Sequence, residues 1–161
     1  MNFFNPKQLP DITDKIHARQ YVLNLLSRKE YARSQLEKKL TARACPHEII
    51  KSLLDEFNEN NWQSDQRFAQ VTLKSKSAAG YGPKYIQQLF YQHQVDCDVN
   101  QLADSLEIDW VEIVVQLIQK KYTDPLTKDF KEKQKRMRFL YSRGFSGEYI
   151  SAALAQIEDM D

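Results

Sequence analysis

Apolar residues recur along the chain in one phrase that occurs three times. An aromatic residue is followed by an aliphatic residue five positions later and by another apolar residue four positions beyond that. The copies are Tyr31/Leu36/Leu40, Tyr81/Ile86/Phe90 and Phe145/Ile150/Leu154. If the residue after the aromatic is an N-cap, the first two members form a hydrophobic staple across a helix entrance, and the third lies one turn further along the same face. The phrase therefore predicts three similar helix starts, which is typical of a helical repeat protein.

The residues at these entrances predict caps of unequal quality. Gly82 followed by Pro83 places a permissive N-cap before a proline at the first helical position, and Ser146 offers a hydroxyl to the first amides of the third copy. Ala32 offers no side-chain acceptor, so the helix of the first copy should start less sharply. The four glycines of the chain flank the second and third copies, as Gly80, Gly82, Gly144 and Gly147.

Helical periodicity accounts for most of the remaining chain. The predicted helices begin near residues 15, 33, 46, 65, 83, 98, 110, 128 and 147. They group into three units of two or three short helices, with boundaries at 14–62, 63–108 and 109–161 after a loose leader over 1–13. Such units favour an all-α fold that builds an extended surface more readily than a pocket.

The net charge of +1 conceals a strong segregation of charge along the chain. Residues 15–43 are mainly basic, every charge over 96–112 is negative, and 120–143 is mainly basic again. With 28% charged residues, the composition suits a thin body with much surface. Alternating basic and acidic zones favour a charged macromolecular partner over a small substrate.

The sequence also bears on compartment. No apolar run approaches the roughly 20 residues of a membrane span, and the first residues lack the basic region and apolar stretch of a signal peptide. We therefore expect a cytoplasmic protein with no membrane contact. In a reducing compartment Cys45 and Cys97 are expected to be plain thiols, with a disulfide as the alternative.

Motifs of catalysis are absent from the sequence. It contains no P-loop, no nucleophile elbow and no dinucleotide fingerprint. Cys45-x-His47 and His93-x3-Cys97 offer four metal ligands, but the two pairs lie far apart and neither has the spacing of a known zinc motif. We therefore predict no catalytic residue, no cofactor and no metal.

Four longer phrases carry a resemblance to a known family. They are LSRKEY at 26–31, WQSDQRFA at 62–69, GYGPKYI at 80–86 and KQKRMRFLYSRGFS at 133–146. In this order and spacing, over roughly 15–157, they resemble the RecX family of bacterial regulatory proteins. The family often has an arginine soon after the Gly-Pro step, where this chain has Tyr85, which argues against a phosphate contact from the middle repeat.

The resemblance implies an elongated array of three tandem three-helix repeats that acts without catalysis. It further implies a modulator of the RecA recombinase, which lies along the RecA filament on single-stranded DNA. Such a protein would impede filament growth, ATP hydrolysis and strand exchange, and would thereby affect DNA repair and the SOS response. The expected partners are the RecA filament and single-stranded DNA, contacted directly or only through the filament, and the chain is expected to be a monomer.

The candidate contact residues are basic side chains of the first and third repeats. They are Arg28, Lys29, Arg33, Lys38, Lys39, Arg43, Lys131, Lys133, Lys135, Arg136, Arg138 and Arg143. In the basic helix, a stripe of Phe130, Gln134, Met137 and Tyr141 is expected to be the packed face, bordered by a strip that includes Lys131, Lys135 and Arg138. The alternative is that these charges only solvate the helix.

Several of the remaining residues are predicted to be structural. Glu30 and Glu37 are expected to pair with nearby bases. The staple aromatics are expected to be scaffold and not platforms for nucleobases, and Trp62 and Trp110 are expected in the core.

Two other function classes remain open. A general nucleic-acid-binding helical protein would usually be basic overall, whereas this chain is nearly neutral. An enzyme whose site is invisible in the sequence is the third class. The filament regulator is favoured because it alone explains the tandem repeats, the segregated charge and the family phrases together.

Overall fold

The structure of the protein, a computed structural model, describes residues 9–161, and this part of the chain is helical with no β-strand. Its helices are α1 (Lys15–Leu26), α2 (Arg33–Thr41), α3 (His47–Glu59), α4 (Asp65–Ala78), α5 (Pro83–Gln92), α6 (Val99–Ser105), α7 (Trp110–Lys121), α8 (Phe130–Ser142) and α9 (Gly147–Met160). The all-α prediction is confirmed. Residues 1–8 of the predicted leader lie outside the described residues, and 9–13 form no helix.

The chain divides into two compact units, a first unit that ends at Phe68 and a second unit, Ala69–Asp161. In the first unit α1 and α2 both pack on α3. In the second unit α5 packs on α6, and α7 and α8 pack on α9. The helices fall in groups of three inside the ranges predicted for the repeats, and the repeat boundaries themselves stay a prediction.

The core of the first unit is built from the apolar stripes of its three helices. Its buried members are Ile12, Ala18, Val22, Tyr31, Leu36, Leu40, Cys45, Ile50, Leu53, Leu54 and Phe57. Ile12 precedes α1 and donates its N–H to the carbonyl of Arg43 at 2.9 Å, which holds the chain before α1 against the end of α2.

Six helices in the described part of the chain end in the same way. A residue with positive φ follows each helix, at Ala44, Asn61, Gly80, Gln94, Glu107 and Gly144. The residue after it donates its N–H to the carbonyl five positions back, as from Tyr81 to Lys76 at 3.0 Å and from Phe145 to Leu140 at 3.2 Å. This is the longer hydrogen bond of a Schellman cap, which satisfies a carbonyl at the helix end.

These caps explain where the repeated phrase comes from. Tyr81 and Phe145 directly follow the left-handed glycines, so each closes one helix and leads into the next. The aliphatic partners Leu36, Ile86 and Ile150 are fully buried, and the three stapled helices have the expected N-caps. The first copy lacks glycine because α1 ends at Ser27 in an ordinary right-handed conformation.

The start of α2 is closed in spite of its alanine N-cap. The side-chain oxygen of Gln35 accepts the Ala32 N–H at 2.9 Å, and the carboxylate of Asp65 accepts the Arg33 N–H at 2.8 Å. Gln63 is buried and donates to both Asp65 (3.0 Å) and the Tyr31 carbonyl (3.1 Å), which orients the carboxylate. The prediction of a less sharp start is wrong, because Gln35 in the first turn of α2 and the distant Asp65 supply the acceptors.

The other two stapled starts differ from the first. Ser146 makes no side-chain cap hydrogen bond, so the predicted role of its hydroxyl is wrong. At α5 the Gly82 and Lys84 amides donate to the carbonyls of Arg143 and Gly144, at 2.7 and 3.1 Å. The turn between α8 and α9 therefore caps α5 with backbone atoms.

The two tryptophans have unequal environments. Trp110 is buried and meets Phe145 edge-on, with ring centroids 6.5 Å apart, as predicted for a core residue. Trp62 is 46% exposed and touches Phe57 edge-on at 5.2 Å, so the core prediction is wrong for this residue. The adjacent Gln63 takes the buried position because its amide is held by two hydrogen bonds.

Both cysteines are free thiols. Burial raises the pKa of the Cys45 thiol, and burial together with the nearby Asp98 and Asp96 carboxylates raises the pKa of Cys97. Within residues 9–161 no three metal-ligating side chains come together. None of the helices described is long and apolar enough to cross a membrane.

Candidate interaction surfaces

The basic residues predicted in the first unit divide into two groups. Arg33 and Arg43 serve the fold: the Arg33 guanidinium pairs with Asp55 at 2.7 Å, and the Arg43 Nε donates to the Pro10 carbonyl at 2.9 Å. Hydrogen bonds from Lys51 and from Arg33 hold the pKa of the Asp55 carboxyl below its usual value. These two arginines are half-buried, which limits their use as contacts to a partner.

The other four, Arg28, Lys29, Lys38 and Lys39, are exposed. The structure brings Lys29 and Lys39 together over the ring of Tyr31, with the two ammonium nitrogens 4.7 and 5.8 Å from its centroid. No carboxylate among the described residues lies within ion-pair distance of any of the four. They form the first basic patch.

Glu30 does not neutralise this patch. Its carboxylate pairs with the Arg67 guanidinium at 3.0 Å, and the two residues are 37 positions apart. The predicted local pairing of Glu30 is therefore wrong, because the turn before α2 directs its side chain toward α4. The structure gives no ion pair for Glu37 within the described range.

The second predicted surface lies on α8. Lys131, Lys135 and Arg138 are all exposed, and their spacing of four and three places them on one side of the helix. No carboxylate within residues 9–161 pairs with them. These three residues are called the α8 basic face.

The packed side of α8 differs from the predicted stripe. Phe130 is 72% exposed and Tyr141 is 51% exposed, whereas Leu140 is buried and Met137 is half-buried. The predicted packing of the Phe130 stripe is wrong because the helix is rotated toward the Leu140 side. The α8 basic face consequently borders two exposed aromatic rings.

Arg136 belongs to the packed side of α8. Its side chain is only 14% exposed and pairs with Glu132 at 3.1 Å. The same guanidinium donates to the carbonyls of Asp124 (2.6 Å) and Pro125 (3.2 Å) and lies 4.0 Å from the Tyr122 ring centroid. Arg136 therefore fixes the connection between α7 and α8, and its contact with a partner stays a prediction.

Lys133 is exposed on α8, outside the α8 basic face. It lies on the edge of a groove of about 760 Å³, whose apolar lining includes Leu126, Met137 and Leu154. Pro125 and Arg136 also line this groove. Lys133 is thus separated from the other exposed bases of α8.

The last predicted residue, Arg143, joins a cluster that the sequence did not reveal. Its guanidinium lies 4.4 Å from the Tyr81 ring centroid and 5.2 Å from that of Phe139. Lys76 lies over Tyr81 at 5.3 Å, and Lys121 lies over Phe139 at 4.1 Å. With Tyr85, which stacks on Tyr81 at 4.3 Å, these residues form the cation–aromatic cluster.

Lys76 was missed because the cap that brings it to Tyr81, five positions later, lies past the end of α4, and Lys121 was missed because it is distant in the chain from Phe139. Lys76 is in the last turn of α4 and Lys121 ends α7. Each is positioned by a helix end, and no pattern within one helix predicts such a meeting. The only sequence signal is the basic zone over 120–143, which includes Lys121.

The acidic zone is partly explained by helix caps. Asp98 accepts the Gln101 N–H at 2.9 Å to cap α6, and Asp109 accepts the Glu112 N–H at 3.1 Å to cap α7. Acidic side chains at helix N-termini are favourable because of the unpaired amides and the helix dipole. The exposed acids that remain are Asp96, Asp104 and Glu107.

Helices grouped in threes, with exposed basic surfaces on α2 and α8, define an all-helical protein built from three-helix modules. Two family models match the chain, the first three-helix domain of RecX at 18–57 and the third three-helix domain of RecX at 107–154. The crystal structure of RecX from Lactobacillus salivarius has a similar fold, with a TM-score of 0.72, 22% identity, and coverage of 91% of this chain and 97% of that one.

Sequence relatives give the same family. The chain is 37% identical over 142 residues to regulatory protein RecX of Acinetobacter baylyi, which covers 88% of each chain. It is 36% identical over 132 residues to regulatory protein RecX of Actinobacillus pleuropneumoniae serotype 5b, covering 81% of this chain and 86% of the relative. The chain belongs to the RecX family of regulatory proteins.

Proposed function

We propose that this protein binds the RecA filament on single-stranded DNA in the cytoplasm and inhibits filament growth, ATP hydrolysis and strand exchange. The observation that supports this most directly is the α8 basic face, where Lys131, Lys135 and Arg138 are exposed and have no carboxylate partner among the described residues. Unpaired bases on one helix side attract an acidic or phosphate-bearing partner.

The neighbouring aromatic rings support a contact with protein. Phe130 and Tyr141 are exposed beside the α8 basic face, and aromatic residues with arginine are enriched at the energetic centres of protein interfaces. Burying these rings against a RecA subunit would supply affinity, while the charges would set approach and register. The mechanism is steric: a bound monomer blocks the addition or rearrangement of RecA subunits and needs no covalent chemistry.

The acidic zone supports a filament partner over bare nucleic acid. The exposed Asp96, Asp104 and Glu107 would repel a phosphate backbone and suit a basic protein surface. The net charge of +1 also differs from the strongly basic balance of most dedicated nucleic-acid binders. Both observations favour the filament as the partner and leave general nucleic-acid binding as the second candidate function.

The test is the ATPase activity of the cognate RecA on single-stranded DNA, measured with substoichiometric amounts of this protein at two salt concentrations. We expect a clear loss of ATP hydrolysis with the unchanged protein. The triple variant Lys131→Gln/Lys135→Gln/Arg138→Gln should inhibit several-fold less. The difference from the unchanged protein should be larger at low salt, because ions screen charge pairing at a surface.

A matched control carries the same change in net charge elsewhere. The triple variant Gln66→Glu/Gln88→Glu/Gln119→Glu alters three exposed positions and should inhibit like the unchanged protein. No effect of the unchanged protein at any ratio would overturn the proposed function. Equal inhibition by both triple variants would remove the α8 basic face from the binding site.

A further inference from the structure

We infer that the cation–aromatic cluster binds single-stranded nucleic acid, with a base stacked on Tyr85 and phosphates held by Lys76, Lys121 and Arg143. This inference deepens the proposed function, because it names a direct contact between the protein and the DNA strand. It rests on the proposed function in one respect: binding to the RecA filament is what brings the protein to single-stranded DNA. The site differs from the α8 basic face, which we assign to protein.

The charge of the cluster is uncompensated. Lys76, Lys121 and Arg143 come from three separate segments, and none lies within ion-pair distance of a carboxylate among the residues described. The Tyr81 and Phe139 rings hold the three cations near one another without neutralising them, since a ring face offers only its quadrupole. Such a group raises the local positive potential and favours an anion.

Tyr85 provides the aromatic surface. Its ring stacks on Tyr81 with centroids 4.3 Å apart and planes 29° apart, and 36% of the residue remains exposed. Single-stranded nucleic acids bind where a positive groove runs beside aromatic rings, because every base has a face that can stack. An acidic peptide would use the cations but would gain little from the ring.

The backbone holds Tyr85 in place. A Cβ atom added at Gly144 would lie 2.6 Å from the Tyr85 Cβ, so the backbones of the two segments are in direct contact. The hydrogen bond from the Lys84 N–H to the Gly144 carbonyl, 3.1 Å long, fixes the first turn of α5. A ring on a fixed helix turn loses little conformational entropy on binding.

Tyr85 lies two positions after Pro83 on α5, and its uncharged side chain argued against a phosphate contact from the middle repeat. In the structure the positive charge comes instead from Lys76 on α4, Lys121 at the end of α7 and Arg143 after α8. The ring of Tyr85 therefore offers a stacking surface, and neighbouring residues supply the charge.

The first experiment measures binding of fluorescein-labelled oligothymidylate to the full chain by anisotropy, without RecA, over a series of salt concentrations. For single strands, each phosphate contact contributes about 0.7 to the slope of log affinity against log salt. The variant Lys76→Gln/Lys121→Gln should lower the magnitude of this slope by about 1.4, the value for two contacts. The matched variant Lys74→Gln/Lys120→Gln changes neighbouring exposed lysines and should leave the slope unchanged.

The second experiment separates stacking from charge. Tyr85→Ala and Tyr85→Leu should each weaken binding of oligothymidylate about fivefold to a hundredfold, with the salt slope unchanged. Tyr91→Ala, on the same helix and more exposed, is the control and should bind normally. An abasic strand with the same phosphates should bind the unchanged protein and Tyr85→Leu equally, because no base is left to stack.

Three outcomes would overturn the inference. Equal affinities of the Tyr85 and Tyr91 variants for oligothymidylate would exclude stacking. Equal salt slopes for the Lys76→Gln/Lys121→Gln and Lys74→Gln/Lys120→Gln variants would exclude phosphate contact. Binding of polyglutamate, but not of oligothymidylate, that is lost in Lys76→Gln/Lys121→Gln would assign the cluster to an acidic protein. Because RecA is absent, failure here leaves the ATPase test of the proposed function untouched.

Discussion

Gly82 and Gly144 lie in direct backbone contact, and neither position has room for a side chain. A Cβ atom at Gly82 would lie 2.6 Å from the carbonyl carbon and oxygen of Gly144. Gly144 also has a φ of +94°, which L-residues rarely adopt. Gly82 and Gly144 are therefore required because the second and third copies of the phrase touch each other there, and Gly144 is also required by its turn.

We expect Gly82→Ala and Gly144→Ala to lower the free energy of unfolding by about 2–4 kcal/mol, since backbone atoms would have to shift. Gly147→Ala is the control. Its Cβ would meet only the exposed side chain of Tyr141, whose hydroxyl would lie 3.0 Å away. That variant should change stability by less than about 1 kcal/mol. Urea denaturation followed by circular dichroism measures the difference, and equal effects at all three positions would contradict the contact.

The left-handed helix end at Ala44 predicts a stabilising substitution. Ala44 has a φ of 53° and is exposed, so glycine would relieve the steric cost without loss of packing. We expect Ala44→Gly to raise the free energy of unfolding by about 1 kcal/mol. Ala42→Gly, two positions earlier in a right-handed conformation, should instead lower it by about 0.5–1 kcal/mol. The melting temperatures of the two variants should shift in opposite directions from that of the unchanged protein. Shifts of the same sign would be inconsistent with the left-handed cap at Ala44.

The ion pair between Arg19 and Glu56 predicts a dependence of stability on pH. The hydrogen bonds from Arg19 hold the pKa of the Glu56 carboxyl below its usual value. A lowered pKa in the folded state gives stability that is complete above pH about 5 and is lost as the pH falls through the folded value. Glu56→Gln should therefore have a lower melting temperature than the unchanged protein at neutral pH. Its melting temperature should also fall less on acidification.

Glu59→Gln is the matched control for this measurement. Glu59 lies on the same helix, is exposed, and has no ion pair within the residues described. Its melting temperature should follow that of the unchanged protein from neutral pH to about pH 3. If Glu56→Gln shows the same pH profile as Glu59→Gln, the ion pair contributes nothing measurable.

Features set by local spacing were predictable from the sequence. The starts of α1, α6 and α7 follow from Asp14, Asp98 and Asp109, each of which caps its own helix through a nearby amide. The buried staple partners follow in the same way, because a hydrophobic residue at a fixed offset must share the helix face. Cap and periodicity arguments use only neighbours in the chain, and here those neighbours decide the outcome.

Features set by contacts between distant residues were not predictable. Arg136 and Arg138 are two positions apart and look alike in sequence, yet only Arg136 faces the α7–α8 connection. The orientation of α8 determines which arginine is buried. The sequence does not reveal this orientation, because the exposed side with Phe130 and Tyr141 is as apolar as the packed side with Leu140. The cation–aromatic cluster depends on helix ends that meet only after folding.

The capping of α5 by a later turn also sets an order of events during synthesis on the ribosome. Arg143 donates to the Ala79 carbonyl across 64 positions, and its own carbonyl caps Gly82, so the start of α5 is incomplete until the turn after α8 has left the exit tunnel. The core of the first unit, by contrast, is complete by Phe57. The nascent chain should therefore fold its first unit early. The first amides of α5 should stay uncapped until Arg143 and Gly144 have emerged.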